Sequence, residues 1–359
     1  MQSGWIGMGS EAIAFEQELA VALAAPHVVT VNSCTSALFL SLLVSGVGPG
    51  DEVICPSLTW CSTANAALYL GAKTVFCDID PDTLSLTPQH VLAKLTPKTK
   101  AVMVVHFGGL AVDVAALAAA LPKEVRIVED AAHALGARFA DGSPMGSSGN
   151  LTCFSFYANK NISTGEGGAI ALFDDALANR LRNLRQHALP LDAWKRYTHA
   201  RALLLSNEIA ELGFKMNYTD LQACIGRVQL RRQSEFDIIR LDIARLYVDR
   251  LKEVSPELRF QRDCTHPDHA RHLFVVRLPI EEMGPSRDEV VLALRARNIG
   301  ASIHYAPLHR MALYRGEGPA PSLPATDDVA RSIMTLPIGA SMTPNDAEDV
   351  VEQLRAVLK

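Results

Sequence analysis

Short apolar segments alternate with helical patterns along the first half of the chain, and this alternation constrains the fold more than any other feature. The segments are His27–Asn32, Val53–Cys55, Thr74–Asp78, Ala101–Phe107, Val125–Glu129, Thr152–Phe156 and Ala169–Phe173. Helical patterns lie between several of them, for example in Pro88–Leu95 and Val112–Leu121. Nearly continuous apolar strands that alternate with helices predict an α/β fold with a mainly parallel sheet, covered by helices on both faces.

The remainder of the chain predicts a second, smaller unit. A long helical pattern runs from about Arg232 to Val254, shorter strand and helix signals follow it, and a last helix is expected at Pro344–Leu358. The chain has 359 residues, of which 48% are hydrophobic, so it is long enough to build two cores. We therefore expect a large domain over residues 1–235 and a small C-terminal α/β domain over residues 236–359.

Composition argues against several classes of function. The formal net charge is −5 and no basic stripe is found, so a nucleic-acid partner is not expected. No apolar run is long enough to cross a bilayer, and the N-terminus shows no signal-peptide pattern. The seven cysteines are scattered without a C-x-x-C pair, which favours reduced thiols in a cytoplasmic protein without a metal site.

Ligands of parallel sheets bind at the carboxyl ends of the strands, so residues that follow the strands are the first candidates for chemistry. The segment Cys153–Gly168 carries a single lysine, Lys160, between a strand and a glycine-rich turn. Burial makes it easier for a lysine to lose its proton, and the neutral amine is the form that makes a Schiff base with a carbonyl. A solvent-exposed loop lysine is the alternative, because most lysines are of that kind.

Three other strand ends carry polar or aromatic residues. Asn32–Ala37 joins a strand to a helix, where hydroxyls and N–H groups can bind a phosphate, although Thr35 can equally be a simple helix cap. Trp60 follows the next strand and can stack on a ring or merely pack. Asp130 lies at the end of a later strand, where a carboxylate can pair with the pyridinium nitrogen of pyridoxal phosphate or cap a helix. If Lys160 were merely an exposed loop lysine, the order of the four features would have no explanation. These features are a phosphate-binding turn, an aromatic residue, an acidic residue and a lysine, each at a predicted strand end.

On these motifs the chain resembles the DegT-type sugar aminotransferases, a branch of the fold type I (aspartate-aminotransferase-like) pyridoxal-phosphate enzymes. The matching stretches are Gly50–Trp60, Val128–His133, Phe154–Gly168 and Gly213–Asp220, and the resemblance covers almost the whole chain. It is strongest to the members that make UDP-4-amino-4-deoxy-L-arabinose for lipid A. The resemblance implies a large domain with a mainly parallel mixed sheet between helices, and a smaller C-terminal α/β domain.

The same resemblance implies roles for the residues that bind the cofactor. Lys160 binds pyridoxal phosphate covalently and later moves a proton, and Asp130 binds the pyridine nitrogen. Trp60 stacks on the ring, and His133 lies near the oxygen side of the ring. The residues implied to hold the phosphate are Thr35, Ser36 and Ser155.

Further positions follow from the resemblance. Asn217 corresponds to a residue that reaches the cofactor phosphate of the neighbouring subunit, which implies a homodimer with shared active sites. The run from His304 to His309 resembles a substrate-side segment of the small domain, and His309 is its better candidate. In one departure, Arg185-Gln-His187-Ala188 stands where the family has a His-Gly pair, so a backbone shape specific to glycine is expected to differ there.

These observations predict an aminotransferase that moves an amino group from L-glutamate to a UDP- or dTDP-linked keto-deoxysugar, at C4, for a cell-surface polysaccharide or lipid A. A sugar dehydratase of the same fold is one alternative. Lys160 argues against it, because the dehydratases that resemble this family carry a histidine there. A non-catalytic regulatory or binding protein is the other alternative, and the intact pair Asp130 and Lys160 argues against it, since a binding module needs no Schiff base.

Overall fold

A computed structural model describes residues 4–189, 209, 211–281, 284–315 and 319–358, and a seven-stranded sheet forms the centre of its larger part. The strands are β1 (His27–Val31), β2 (Glu52–Pro56), β3 (Lys73–Cys77), β4 (Thr99–Val105), β5 (Arg126–Asp130), β6 (Leu151–Ser155) and β7 (Gly168–Leu172). Their order across the sheet is β1-β7-β6-β5-β4-β2-β3. Every apolar segment of the sequence pattern therefore forms a strand of this sheet, with bounds that differ from the predicted ones by one or two residues.

All strands of this sheet except β7 run in one direction. Parallel pairing joins β3 to β2, β2 to β4, β4 to β5 and β5 to β6, whereas β7 pairs antiparallel with both β6 and β1. The prediction of a mainly parallel sheet is thus confirmed. As a consequence, the carboxyl ends of the parallel strands and the first residue of β7, Gly168, meet at one edge of the sheet.

Helices cover both faces of the sheet. They are α1 (Ser10–Ala22), α2 (Cys34–Val44), α3 (Cys61–Leu68), α4 (Pro88–Leu92), α5 (Val114–Ala120), α6 (Asp175–Leu184) and α7 (Asp220–Arg231). On one face, α2 packs against β6 and β7 through an apolar cluster that includes Leu38 and Ile170. On the other face, Val91 of α4 and Leu117 of α5 share a cluster with Val104 of β4. Burial on both faces explains why the strands are apolar throughout.

The first helix is capped by a residue from far along the chain. Serine is a common N-cap residue, but Ser10 is the first helical residue of α1, and Gly9 at the N-cap position has no side chain to cap the helix. The carboxylate of Asp220 instead accepts hydrogen bonds from the N–H groups of Gly9 at 2.7 Å and Ala12 at 3.0 Å. This contact joins the start of α1 to the start of α7 and anchors the loop that carries Asn217.

The C-terminal part builds a second, smaller sheet with its own helices. Its elements are α8 (Gln233–Val254), β8 (Arg259–Phe260), β9 (Phe274–Arg277), α9 (Arg287–Ala296), α10 (Ala312–Arg315), α11 (Pro324–Ser332), β10 (Ile333–Leu336) and α12 (Pro344–Leu358). The three strands pair antiparallel in the order β10-β9-β8, and Tyr247, Leu294 and Leu354 share the core beneath them. α8 runs through the expected boundary at residue 235 without a break. Within the described ranges, none of the helices is long and apolar enough to cross a membrane.

The departure from the family pattern at residues 185–188 lies in a turn with a left-handed backbone. His187 and Ala188 have positive φ angles of 62° and 54°. The conformation that a glycine would favour is therefore present at these positions, and the expected change of shape is not found. The close packing at this turn depends on Gly213, because a Cβ there would lie 2.0 Å from the backbone nitrogen of Ala188.

Candidate active site

A cavity of about 450 Å³ lies at the edge of the sheet where the parallel strands end. Its wall is formed by the start of α2, the ends of β4, β5 and β6, the loop between β6 and β7, and residues 304–305 of the smaller part. Of the residues expected from the sequence, the wall includes Thr35, Trp60, Asp130, His133, Ser155, Lys160 and His304. Three expected residues, Ser36, Asn217 and His309, are not part of this wall.

Lys160 lies in the loop of residues 156–167, which leaves the sheet after β6 and returns to it at β7. Its Nζ lies 3.3 Å from Nε2 of His272. Burial lowers the pKa of Lys160, while the nearby Cys34 and Asp130 act in the opposite direction. The lysine therefore loses its proton more easily than an exposed lysine, as an amine that attacks a carbonyl must.

Asp130 ends β5 and is only 7% exposed, with its carboxylate in the cavity wall. The Thr63 hydroxyl donates to Oδ2 at 2.7 Å and the Ala132 N–H donates to Oδ1 at 3.1 Å. Burial raises the pKa of Asp130, although both hydrogen bonds and the charge of Lys160 favour the carboxylate. No helix begins at residues 131–134, so the alternative role as a helix cap is excluded. Among the described residues Asp130 has no ion-pair partner, and the site suits an incoming cation.

His133 lies between aromatic side chains above the sheet edge. Its Nε2 lies 3.1 Å from the Tyr305 hydroxyl, and its ring centroid lies 4.5 Å from that of His272 and 6.0 Å from that of Phe107. Burial, followed by the charge of Lys160, lowers the pKa of His133 well below its usual value, so the imidazole is neutral. Nδ1 of His133 is buried without a hydrogen-bond partner among the described residues, which leaves one position for a ligand.

The N-terminus of α2 forms the opposite end of the cavity. Ser33 caps this helix by accepting a hydrogen bond from the Ser36 N–H at 3.1 Å, so the alternative role of Thr35 as the cap is wrong. Thr35 instead lines the cavity, and its hydroxyl lies 2.8 Å from Ser62 Oγ. The Ser36 hydroxyl donates to Asn32 Oδ1 at 2.7 Å, outside the cavity wall.

Gly168 allows β7 to approach this helix end closely. A Cβ on Gly168 would lie 2.6 Å from the backbone nitrogen of Cys34 and from the carbonyl carbon of Ser33. The N–H groups of a first helical turn have no acceptor within the helix, and the helix dipole adds positive charge there. Together with the hydroxyl residues Thr35 and Ser155 in the wall, this end of the cavity fits a phosphate.

Trp60 and His304 form the outer side of the cavity. Trp60 is 59% exposed, and its ring centroid lies 5.8 Å from that of Tyr305. Nδ1 of His304 lies 2.9 Å from Thr335 Oγ1, and burial lowers the pKa of His304 to about 4. A neutral imidazole and an exposed indole therefore face the entrance.

Two of the expected residues lie further from the chemistry. His309 is fully buried, with Nδ1 at 2.7 Å from Ser57 Oγ. Asn217 is half-buried, and its side-chain amide donates only a long hydrogen bond, of 3.5 Å, to the Tyr218 carbonyl. Neither side chain lines the cavity within one chain.

Three residues that the sequence argument did not single out contribute to the site. Thr63 holds Asp130, and Tyr305 contacts His133. Thr63 stands three residues after Trp60, and Tyr305 stands within the run from His304 to His309, so both are close in sequence to expected residues. His272 contacts Lys160 from 112 residues away, and no local signal indicates it.

The arrangement fits pyridoxal phosphate, a pyridine ring that carries a phosphate group and an aldehyde. The N-terminus of α2 with Thr35 would hold the phosphate, the carboxylate of Asp130 the protonated ring nitrogen, and Lys160 the aldehyde carbon. The buried Asp130 without a cation and the unpartnered Nδ1 of His133 are the two groups that such a ligand would satisfy.

Comparison with known proteins agrees with this geometry. Residues 1–355 match the model of the DegT/DnrJ/EryC1/StrS aminotransferase family. The spore coat polysaccharide biosynthesis protein SpsC of Bacillus subtilis (strain 168) is 39% identical over 365 aligned positions, which cover 100% of this chain and 92% of SpsC.

Solved structures of relatives superpose over nearly the whole chain. DesV of S. venezuelae, solved with a ketimine intermediate, is 34% identical with a TM-score of 0.87, over 99% of this chain and 91% of DesV. Spr1654 of Streptococcus pneumoniae, assigned as a sugar aminotransferase, has been solved in a PMP-form and a PLP-form. The PLP-form is 28% identical with a TM-score of 0.86, over 99% of this chain and 93% of Spr1654. With the fold type I architecture described above, these findings establish that the chain belongs to the DegT/DnrJ/EryC1/StrS aminotransferase family and is a pyridoxal-phosphate-dependent sugar aminotransferase.

Proposed function

We propose that this chain transfers the amino group of L-glutamate to a nucleotide-linked keto-deoxysugar, UDP- or dTDP-linked, at C4. The observation that carries the proposal is that Lys160 and Asp130 share the wall of one cavity that ends at the N-terminus of α2. The product would serve a cell-surface polysaccharide or lipid A. This finer assignment is supported by the similarity to SpsC, a spore coat polysaccharide biosynthesis protein, and by the resemblance to enzymes that form an aminoarabinose nucleotide. We also propose a cytoplasmic location, in keeping with seven free cysteines.

We assign the covalent link and the proton transfer to Lys160. Bound pyridoxal phosphate supplies an aldehyde that carries the amino group and a ring that takes up electrons. When Nζ of Lys160 is released, burial favours its neutral form, so it can accept a proton at one position of the reacting group and return it at another. Asp130 keeps the ring nitrogen protonated, because a buried carboxylate without a cation strongly favours a positively charged neighbour.

On the substrate side we assign the direct contact to His304. It lines the cavity, and as a neutral imidazole it can both donate and accept a hydrogen bond to a sugar hydroxyl. His309, the better candidate on the motif, is buried behind the wall, where it binds Ser57 and also lies 3.2 Å from Asp327. We therefore propose that His309 supports the wall and that His304 meets the sugar.

We propose a homodimer in which each subunit completes the site of the other. Helix α7 exposes an apolar stripe at helical spacing, formed by Leu221, Ile225 and Val228, which are 42%, 50% and 48% exposed. Exposed apolar stripes of this kind favour burial against another protein surface. Asn217 stands just before this helix, and within the described part of its own chain it has only a weak partner, so we propose that a two-fold dimer through α7 brings it towards the neighbouring cavity.

A subunit-mixing experiment tests Lys160 and the shared site together. Lys160→Ala and Asn217→Ala homodimers should each be nearly inactive, with unchanged unfolding transitions. A mixed dimer gathers both lesions in one site and leaves the other whole, so activity should rise towards half that of the wild type per mixed dimer. Demonstrated subunit exchange without any recovery would contradict the shared site, and turnover by Lys160→Ala without added amine would contradict the role of the lysine.

A panel of UDP- and dTDP-linked keto-sugars tests the substrate. With L-glutamate present we expect formation of 2-oxoglutarate and an amino sugar from a 4-keto-deoxysugar. Loss of the sugar hydroxyl without transfer of nitrogen would instead indicate a dehydratase. A cofactor absorbance band that glutamate leaves unchanged, together with no turnover of any sugar, would indicate a non-catalytic protein.

A further inference from the structure

His272 contacts the active-site lysine from the smaller part of the molecule. It lies just before β9, is buried, and its Nε2 is 3.3 Å from Nζ of Lys160. Its ring also packs against that of His133, with 4.5 Å between centroids. Lys160 is thus contacted by a residue that belongs to neither the phosphate end nor the ring-nitrogen end of the cavity.

The neighbours of His272 determine which of its nitrogens carries the proton. The Asn161 amide Nδ2 donates to the carbonyls of Ala270 at 2.8 Å and Leu135 at 3.4 Å, which identifies Oδ1 as the acceptor on the other side of the amide. That Oδ1 lies 3.2 Å from Nδ1 of His272. Nδ1 must therefore be the protonated nitrogen, and Nε2 directs its lone pair at Lys160.

Backbone contacts fix the position of this histidine. The Ala270 N–H donates to the Gly109 carbonyl at 2.9 Å, and Arg240 Nη1 donates to the Arg271 carbonyl at 3.1 Å. A Cβ on Gly109 would lie 2.8 Å from the Arg271 nitrogen, so only glycine permits the approach. Arg271 itself has a left-handed backbone, with φ of 48°, which turns the chain just before His272. These contacts hold His272 in one orientation relative to the larger part of the molecule.

The surroundings of His272 disfavour its protonated form. Burial and then the charge of Lys160 lower the pKa of His272 well below its usual value. His272 is therefore neutral, and its unprotonated Nε2 can only accept a hydrogen bond from Lys160. Among the described residues, the other titratable groups that face Lys160 or line its cavity are Cys34, Asp130, His133, Tyr157, Glu166, His304 and Tyr305.

We propose that His272 is a positioning residue for Lys160, whose free amine donates a hydrogen bond to Nε2 of His272 and is thereby oriented towards the reacting group. The inference rests on the proposed catalytic role of Lys160. Asn161 contributes by holding His272 in the tautomer with a free Nε2. Because a neutral acceptor stabilises an ammonium group more than an amine, His272 also raises the pH at which Lys160 loses its proton.

The experiment measures the lysine without the cofactor. In the apoprotein, competitive acetylation with acetic anhydride across a pH series, read by mass spectrometry of the Lys160 peptide, gives the midpoint of lysine deprotonation. His272→Asn keeps a donor for Asn161 but cannot reach Lys160, so its midpoint should fall by about one pH unit. His272→Gln places an amide oxygen near the position of Nε2 and should keep a midpoint near that of the wild type. His269→Asn, a buried histidine of the same segment without contact to Lys160, is the matched control.

Activity of the holoenzyme gives the second reading. His272→Asn should lower kcat about 10- to 100-fold while the KM for the sugar stays constant, because misorientation of the proton carrier affects the reaction step and not binding. His272→Gln should recover most of this loss. If His272→Asn does not fold, His272→Leu, which fills the space without polar atoms, should give the same downward shift.

The outcomes separate this inference from the proposed function. An inactive Lys160→Ala together with an unchanged midpoint and kcat in the His272 variants overturns the inference alone. An active Lys160→Ala overturns the role of the lysine, whatever the His272 variants show. Equal shifts in His269→Asn and His272→Asn overturn the positioning role, because they would report only a loosened segment.

Discussion

Two neighbouring carboxylates of β5, Glu129 and Asp130, are held in opposite ways. Both are buried, but successive side chains of a strand point to opposite faces of the sheet and meet different surroundings. Glu129 accepts hydrogen bonds from Ser148 and from Asn150 at 2.8 Å, and its Oε2 lies 2.8 Å from His106 Nε2. Burial disfavours the charge of Glu129, yet these hydrogen bonds outweigh burial and lower its pKa.

The carboxylate of Asp130 has fewer hydrogen-bond donors around it than that of Glu129. Among the residues that the structure describes, Asp130 accepts hydrogen bonds only from Thr63 and Ala132, and burial raises its pKa. A buried charge that the protein satisfies stabilises the fold, whereas one that it leaves unsatisfied costs stability until a ligand supplies a cation. Burial and acidity alone therefore do not identify the functional carboxylate, and the number of hydrogen-bond donors around it does.

The largest expected effect is that of Asp130→Asn on activity. The amide no longer keeps the ring nitrogen protonated, at a cost of about 3–5 kcal/mol by analogy with a broken buried ion pair, which corresponds to roughly a 10²- to 10⁴-fold loss in kcat. The apoprotein should unfold in urea at the same or a higher concentration, because an unsatisfied charge has been removed. A variant that keeps its rate and loses stability would assign Asp130 to the fold instead.

Glu129→Gln makes the same chemical change one residue away and should have the reverse effect. A glutamine cannot accept from all of the donors of Glu129, so a buried donor loses its partner. We expect the free energy of unfolding to fall by about 1–3 kcal/mol, with kcat near that of the wild type. The comparison fails if both amide variants lose activity to the same degree, since the two carboxylates would then not differ in role.

The pH dependence of stability should also separate the two residues. The pKa of Glu129 is lower in the folded protein, so its contribution is complete above the unfolded value of about 4.3 and is lost as the pH falls through the folded value. The pKa of Asp130 is higher in the folded protein, so its cost is present at neutral pH and disappears as the pH falls. We expect two differences from the wild type in the free energy of unfolding, measured for the apoprotein in urea. The loss in Glu129→Gln and any gain in Asp130→Asn should both become smaller as the pH falls. If the loss of unfolding free energy in Glu129→Gln does not depend on pH, the loss is caused by the changed shape of the side chain and not by its charge.

The smallest expected effect is that of Thr63→Val. This substitution removes one hydrogen-bond donor from Asp130 and keeps the shape of the side chain. A loss of about 1 kcal/mol predicts a decrease of roughly fivefold in kcat. Thr59→Val is a suitable control, because the Thr59 hydroxyl contacts that of Thr63, at 2.9 Å, and among the described residues it makes no hydrogen bond with the carboxylate itself. Equal losses in both variants would indicate a general disturbance of α3.

The parallel part of the fold follows from local patterns. Strands buried on both faces are apolar runs between polar ends, and this is why each strand of the large sheet was predicted within two residues. The direction of β7 has no local signal, because an apolar strand has the same pattern in both directions. The cap of α1 was missed for a related reason, since Asp220 lies 211 residues from Gly9.

In the candidate site, too, the residues that follow local sequence patterns were predicted, and a residue that depends on a long-range contact was not. Thr35, Trp60, Asp130 and Lys160 each follow a strand of the same sheet, so the topology brings them to one edge and the sequence was sufficient to group them. His272 comes from the smaller part, and only the docking of that part against the larger one creates its contact with Lys160. A local sequence pattern does not predict a contact between two parts of the molecule that are far apart in sequence.

The reversed direction of β7 has a consequence for how the chain tolerates changes in length. The chain after β2, β4 or β5 crosses to the opposite end of the sheet before the next, parallel strand begins. The loop of residues 156–167 instead returns to the edge it left, and the Phe156 N–H donates to the Gly167 carbonyl at 2.9 Å across its base. An insertion between these two residues must be accommodated within the short loop that carries Lys160. We therefore expect this loop to be the segment of the sheet edge in which relatives vary least in length, and in which a single inserted residue displaces Lys160 most.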